Sequence, residues 1–591
     1  MEPCNNDIEL LFEFHEREKG GRHLRFTKPV KIITACQTAE VIPALSDVCN
    51  AVKKGLYAAG FLSYEAAPAF DSAYRIRTNS NMPLLWFGLF AAPEIIEPTG
   101  QSYEGSFKIG DWEPNVCRAD YNQCIAKIKS EIEKGNTYQV NYTIRMQADF
   151  QGDDFAYYKR LSQSQEGQFS SYLNIGRHRI LSASPELFFR LEKNTITTQP
   201  MKGTARRGLN VIDDEEQRQI LSASEKNQAE NVMIVDLLRN DLGRIAEMGS
   251  VRVAKLFEID KYPTVFQMTS TIQAKVRPGT TLVDIFRALF PCGSITGAPK
   301  ISTMKIIAGL ERAPREVYCG AIGYVSPDGD ASFSVPIRTV VLDGDLNTAW
   351  YGVGGGITWD STPEEEYDEI ITKAALLHAD RIKFDLLETM LLDNGTYTYL
   401  ERHLNRLESS AEYFNYPFVK NDILKELDEH IKLYPSEPRR VRLLLSENGK
   451  FSIESVPFMP LSTQTIKTAA LADAAIDRTN RFLYHKTTNR GIYNKHKNAN
   501  PDVFDILLWN ENREITEFTI GNIVVELNGL KITPPVSCGL LPGVFREELL
   551  ARGDIVERIV TLQDLLHATN VWLINSLQGW IPIHVNRVKE C

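Results

Sequence analysis

The chain has 591 residues, 43% of them hydrophobic and 24% charged, the profile of a globular protein too long for one core, so two or more domains are expected. A net charge of -10 argues against nucleic acid or an anionic membrane as a partner, while a small anionic substrate in a locally basic pocket stays compatible with it. The nine cysteines are scattered without a C-x-x-C pair, as in a reducing compartment, and no apolar run reaches membrane-spanning length.

The chain begins MEPCNNDIELLFEFHERE, acidic where a signal peptide is basic, so a cytoplasmic location is expected. No short repeat follows. The strand TYQVNYT carries Gln139, and the strand-like run ILSASPELFFRLE carries Glu186. Lys202 stands in PMKGT, where the plain reading is a turn before Gly203. The stretch SEKNQAENVMIVDLLRN, roughly 224–240, has the period of an amphipathic helix, with Val232, Ile234, Val235 and Leu238 as its buried stripe. Two more strand-like runs, SFSVPIRTVVL and TAWYGVGGGITW, precede a second helix over 364–386.

On that second helix Glu366 and Glu369 are three residues apart and Lys373 is four further on, so all three share a face. Glu230 lies on the first helix. Two helices that each offer a carboxylate suit a hard cation such as Mg²⁺, provided substrate oxygens complete its shell. The same spacing also describes a solvated charged face.

The pattern then begins afresh. Residues 386–407, LLETMLLDNGTYTYLERHLNRL, read as strand, Asn-Gly turn, strand and basic amphipathic helix. A boundary near 383–385 is expected, dividing 1–384 from a shorter, strand-rich 385–591. Within the latter, Lys486 stands in HKTTNR, ahead of a helical run.

Seven motifs in fixed order carry a resemblance in the first part: SASPELFF, QPMKGTARRG, ENVMIVDLLRNDLGRI, GSITGAPK, YCGAIGY, SFSVPIRT and GGGITWDSTPEEEYDEIITKA. Together, over roughly 50–380, they resemble the chorismate-utilising enzymes, which include anthranilate, aminodeoxychorismate, isochorismate and salicylate synthases. The resemblance implies an α/β (α+β) fold whose large domain is a chorismate-binding two-sheet sandwich with helices. It also implies that Glu230 and Glu369 hold Mg²⁺ directly and Glu366 through water. Arg338, Lys373 and Tyr318 would bind substrate carboxylates, the amides of Gly354, Gly355 and Gly356 would approach the same oxygens, and Thr296 and Gln139 would line the site. Many relatives carry an acid at Asn227, so one outer acid is absent here.

The attacking nucleophile distinguishes members of that family. Isochorismate and salicylate synthases resemble one another in a lysine where this chain has Gln139, an amide that takes no proton at neutral pH, so attack by water is disfavoured. Anthranilate synthases typically carry alanine where this chain has Lys202, and aminodeoxychorismate synthases carry lysine. The implied chemistry is covalent addition of Lys202 at ring C2, loss of the C4 hydroxyl with Glu186 as general acid, and displacement of the lysine by ammonia. Nothing in the chain resembles a glutamine amidotransferase, so ammonia is expected from solution or from a separate glutaminase subunit.

In the second part Lys486, read with ERHLNRL, ITEFTIGNIVV, LLPGVFREELL and INSLQGWIPI, resembles the class IV aminotransferase-like proteins over roughly 386–585. The implied fold is a smaller fold-type IV α/β domain that binds pyridoxal 5'-phosphate. Lys486 would form the Schiff base and move the proton, and Glu517 would pair with the pyridine nitrogen. Arg406, Ser576 and the amides of Val544 and Phe545 would hold the phosphate. Family members usually begin some twenty residues earlier, so this domain lacks its customary start. Pairing of the two parts favours a lyase that releases pyruvate and leaves 4-aminobenzoate; a transaminase, an anthranilate synthase fused to one, and a degenerate scaffold in either half stay open as alternatives.

Overall fold

The computed structural model describes residues 8–16, 20–96, 103, 105–165, 167–378, 382–461 and 465–586. By its internal contacts the chain forms two units. One comprises Met1–Arg206 with Arg218–Arg381, and the other Arg207–Gln217 with Ile382–Cys591.

The first unit is built on two large antiparallel sheets of 11 and 10 strands among the described residues. The strand Glu9–Glu16, ELLFEFHE, shows why they pack. Leu10, Phe12 and Phe14 point to one face and join a core shared with the other sheet, where Phe12 meets Tyr324 edge-on at 5.4 Å. Leu11 points to the opposite face and joins a second core, which the helices Arg118–Glu133 and Asp154–Gln165 help to cover.

Two chain crossings between the sheets position the chemistry. The run ILSASPELFFRLE is two strands: His178–Ser184 belongs to the first sheet and Leu187–Glu192 to the second, leaving Glu186 at the crossing. SFSVPIRTVVL likewise divides into Ala331–Ser334 and Thr339–Asp343, with Arg338 in the link at a left-handed φ of 52°. The crossings are tied by backbone hydrogen bonds, Val335 N–H to the Glu186 carbonyl at 3.1 Å and Ala183 N–H to the Arg338 carbonyl at 3.1 Å.

Two expectations are corrected here. The first helix runs from Glu225 to Gly243 and buries Asn231, Ile234, Val235, Leu238, Asp241 and Leu242, whereas Val232 is 37% exposed. Val232 lies about a quarter-turn from Asn231, and the polar Asn231 takes the buried place because it has partners inside. The second helix spans Pro363–Ala374 and ends in a single tight turn, Ala375–Leu377, not at residue 386. Leu386 instead opens a strand that pairs with Arg439–Leu445, so pairing in the sheet overrides the helical pattern.

In the second unit, Leu386–Asp393 enters a turn through Asn394 and Gly395, both at positive φ, as the Asn-Gly pair requires. A four-stranded sheet with the helices Leu400–Phe414 and Lys420–Leu433 encloses one small core. An eight-stranded mixed sheet encloses another, with Lys467–Leu471 parallel to both its neighbours. Seven cysteines are described and all are free thiols; Cys4 and Cys591 lie outside the described residues, as do residues 1–7 of the acidic N-terminus. Among the described residues no helix is long and apolar enough to cross a membrane.

Candidate active sites

In the first unit the strand Met201–Arg206 carries Lys202, and Thr348–Ile357 carries the glycine ladder. A Cβ added to Gly356 would overlap the Gln139 amide and stand 2.5 Å from Lys202 Nζ, so only glycine lets these two side chains share that space. Gln139 is 1% exposed and its Oε1 has no partner among the described residues. Burial drives the Lys202 ammonium below its ordinary range; Glu230, then Glu369 and Glu186, pull it back, and Lys373 adds to the fall.

Glu186 is buried at the crossing, and its Oε1 accepts a 2.6 Å hydrogen bond from Ser294 Oγ. Burial pushes its carboxyl up to about 7, against the opposing pull of Ser294 and Lys202. Cys292 Sγ lies 3.1 Å behind Ser294 Oγ, so a buried polar line ends on the acid. A buried carboxyl raised to about 7, within electrostatic reach of a lysine whose ammonium burial lowers, is the pairing that an acid and an amine nucleophile need.

The helix Pro363–Ala374 presents its acids to the same glycine ladder. A Cβ on Gly355 would stand 2.8 Å from Glu366 Oε2, the Glu366 oxygen with no partner among the described residues, while Ser361 Oγ donates to Oε1 at 2.6 Å. Burial raises the Glu366 carboxyl. Burial acts on Glu369 in the same sense, but Lys373, paired with it at 2.5 Å, and then Lys202 hold it below the ordinary range. Lys373 Nζ also donates to the Gly354 carbonyl at 2.8 Å. Glu230, on the facing helix, is near enough to Lys202 to be the largest charge acting on it. Among the described residues no three acids, histidines or cysteines form a ready-made metal cluster.

The other expected residues make contacts of their own. The Thr296 hydroxyl donates to the carbonyls of Cys292 and Gly293, 3.2 Å each. Tyr318 packs its ring on Gly352 and, with Arg145, Glu311 and Arg315, lines a cavity of only about 20 Å³. Arg338 is half-buried, and burial lowers its guanidinium from the ordinary value. Asn227 Nδ2 bonds Ser224 Oγ at 2.9 Å at the start of its own helix. Two contributors escaped sequence reasoning: Ser294, and Asn231, which accepts from Ser270 Oγ at 2.6 Å and donates to the Lys202 carbonyl at 3.4 Å.

The second unit contains a cavity of about 760 Å³ lined by Lys486, Arg406, Glu517, Val544, Phe545 and Ser576, the whole expected set. Lys486 is pushed down to about 8 by burial first and by Arg406 next, with Glu388 opposing. Its carbonyl accepts from Leu387 N–H at 2.9 Å, which pins the lysine to the strand Leu386–Asp393. Burial raises Glu517 to about 8; Tyr493 donates to its Oε1 at 2.8 Å and Asn522 to its Oε2 at 3.3 Å. Val544 and Phe545 open a helix capped by Gly543, so their amides have no partner within the helix. Ser576 sits in the turn between the strands Asn570–Asn575 and Gly579–Val585.

Arg406 is gripped by Glu388 at 2.8 and 2.6 Å, and His403 Nδ1 meets the same carboxylate at 2.6 Å. Although burial opposes it, Arg406 first and then His403 hold Glu388 down at about 2, while burial lowers the His403 imidazole itself. Neither Glu388 nor His403 was foreseen, although His403 stands three residues before Arg406 on one helical face. Arg440 and Arg442 also line the cavity from alternate positions of one strand, a pair of cations that sequence reasoning did not find.

Comparison with known proteins gives consistent relatives. Residues 13–379 match the chorismate binding enzyme family, and residues 385–585 match the class IV amino-transferases. The chain is 42% identical over 269 residues to aminodeoxychorismate synthase component 1 of Salmonella typhimurium, covering 45% of this chain and 59% of that one. It is 40% identical over 264 residues to the Escherichia coli protein of the same designation, covering 44% and 58%. It thus spans about three-fifths of the length of the curated relatives it matches. The crystal structure of anthranilate synthase component I from Streptococcus pneumoniae is similar at TM-score 0.52 and 25% identity, over 64% of this chain and 91% of that one.

Proposed function

Since the chain belongs to the chorismate binding enzyme family and carries a class IV aminotransferase-like domain after it, we propose that it makes 4-aminobenzoate for folate in two steps. The first unit converts chorismate and ammonia to 4-amino-4-deoxychorismate, and the second eliminates pyruvate from that product. The observation that carries the first step is Lys202: its Nζ sits against Gly356 and Gln139, and burial favours its neutral form. Gln139 beside it supports an amine over water as nucleophile, because no base stands there to activate water.

The amine of Lys202 bonds to C2 of chorismate as the C4–O bond breaks, and the Glu186 proton leaves with the hydroxyl as water. Ammonia then bonds to C4 as the C2–N bond breaks, Lys202 returns as the free amine, and the proton shed by ammonia restores Glu186. A carboxyl held up to about 7 has that proton to give near neutral pH. Ammonia is proposed to arrive from solution or from a separate glutamine amidotransferase subunit.

Glu230, Glu366 and Glu369 would supply oxygen donors only, and Glu366 Oε2, without a partner among the described residues, is an acceptor left for a cation or its water. That fits Mg²⁺, which would be completed by substrate carboxylate oxygens, since the protein supplies no full cluster of its own. Bound there, Mg²⁺ would neutralise the ring carboxylate.

The second cavity fits pyridoxal 5'-phosphate: a lysine held down at about 8, a buried acid, an arginine and a helix N-terminus converge on it. That cofactor, when bound, supplies an electron sink for loss of a proton next to the substrate nitrogen. Lys486 would move the proton, Glu517 would pair with the ring nitrogen, and Arg406 with Ser576 and the amides of Val544 and Phe545 would hold the phosphate. Arg440 and Arg442 offer cations to the two carboxylates of 4-amino-4-deoxychorismate.

The test of the first step is Lys202→Ala in the full chain with chorismate, Mg²⁺ and ammonia. Chorismate binding should persist while 4-amino-4-deoxychorismate disappears from the mass spectrum, and a trace of 2-amino product is expected at high ammonia. Full synthase activity in the variant rules out the covalent route.

A further inference from the structure

The segment Arg207–Gln217 lies in sequence within the first half, yet it belongs to the second unit. Arg207 is 8% exposed and forms a two-pronged pair with Asp214, both contacts 2.7 Å. Its guanidinium lies 4.6 Å over the ring of Tyr413 and donates to the Tyr413 carbonyl at 2.9 Å. The Tyr413 hydroxyl returns a 2.7 Å hydrogen bond to the Gly208 carbonyl. Gly208 packs so closely on the backbone of Asp213 and Asp214 that a Cβ there would overlap it, which fixes the loop's shape.

Tyr413 in turn stacks on His485, ring centres 4.3 Å apart, and His485 Nδ1 meets Ser410 Oγ at 3.0 Å. His485 is the residue before Lys486. A second line runs beside it: Leu209 packs on a core of Leu483, Tyr484 and Tyr493, and the Tyr493 hydroxyl binds Glu517. One short loop therefore backs both the lysine and the acid of the second cavity. Substituting Arg207 would remove the two-pronged bond to Asp214 and the guanidinium stacked over the Tyr413 ring.

We infer that Arg207 is a positioning residue for Lys486, acting through Tyr413 and His485, and that the cofactor cavity is backed from behind by a segment borrowed from the first half of the chain. The inference rests on reading that cavity as a pyridoxal phosphate site.

The test uses the full chain and pyridoxal 5'-phosphate itself. Cofactor dissociation constants and the pH midpoint of the visible band are compared for the parent, Arg207→Ala, Tyr413→Leu and the double variant. Each single variant should bind the cofactor about tenfold or more weakly with a displaced midpoint, and the double variant should be no worse than the singles, since both break one line of contact. If Arg207→Ala is recovered aggregated, Arg207→Lys carries the comparison, keeping the charge but giving up the planar fork. Parental affinity and midpoint in the Arg207 variant, or strictly additive losses, would overturn the inference while leaving the cofactor reading intact. A parent chain that binds no pyridoxal phosphate would defeat the cofactor reading itself.

Discussion

At the scale of single residues, Glu186 and Lys202 set opposite limits on pH. In the proposed first step Glu186 has to hold a proton, with its carboxyl pushed up to about 7, and Lys202 has to be neutral. The synthase rate should therefore be bell-shaped in pH, with limbs that belong to the coupled pair. Ser294→Ala removes a donor that favours the carboxylate, which raises the Glu186 carboxyl further. One limb of the bell should move to higher pH, and Ser294→Thr should restore it; an unmoved profile would show that Ser294 does not act on the acid. Lys202, Glu186 and Glu369 were legible in the sequence because each stands inside a motif whose chemistry demands its type. Ser294 stands in a motif too, but its partner lies 108 residues away, and no local pattern announces such a contact. Glu388, gripping Arg406 and His403, was hidden for a different reason: a lone acid in an apolar strand carries no period.

Among elements, the strand Thr348–Ile357 and the helix Pro363–Ala374 carry the most weight. Gly356→Ala should lower chorismate turnover by about a hundredfold, because the new methyl displaces both Lys202 Nζ and the Gln139 amide. Parental kinetics in that variant would mean that the two side chains do not sit against Gly356. Glu369→Gln removes one charge from the carboxylate set, and the magnesium concentration needed for half-maximal synthase rate should rise about tenfold or more. An unchanged magnesium dependence would remove Glu369 from the metal. The strands and both helices were legible from period, but their limits were not. Val232 fell outside the buried face because the polar Asn231 has two partners inside, and a hydropathy pattern cannot see a satisfied asparagine. The second helix stops twelve residues early because Leu386 is drawn into a sheet whose pairing strand lies more than fifty residues further on.

For the whole molecule, the two folds were readable from ordered motifs, whereas the place of Arg207–Gln217 was not. Its partner Tyr413 is 206 residues distant, and nothing in the run RGLNVIDDEEQ points to a particular aromatic so far along the chain. The cofactor-loaded chain should be yellow, with a visible band that borohydride bleaches and that Lys486→Ala lacks; a band that survives in that variant would place the cofactor on another residue. That variant also provides the most direct test of the two-step account. Lys486→Ala, given chorismate, Mg²⁺ and ammonia without any added lyase, should accumulate 4-amino-4-deoxychorismate at the parental synthase rate, while the parent chain proceeds to 4-aminobenzoate. Formation of 4-aminobenzoate at the parental rate in Lys486→Ala, or a parent chain that stops at the intermediate with its cofactor bound, would contradict the account.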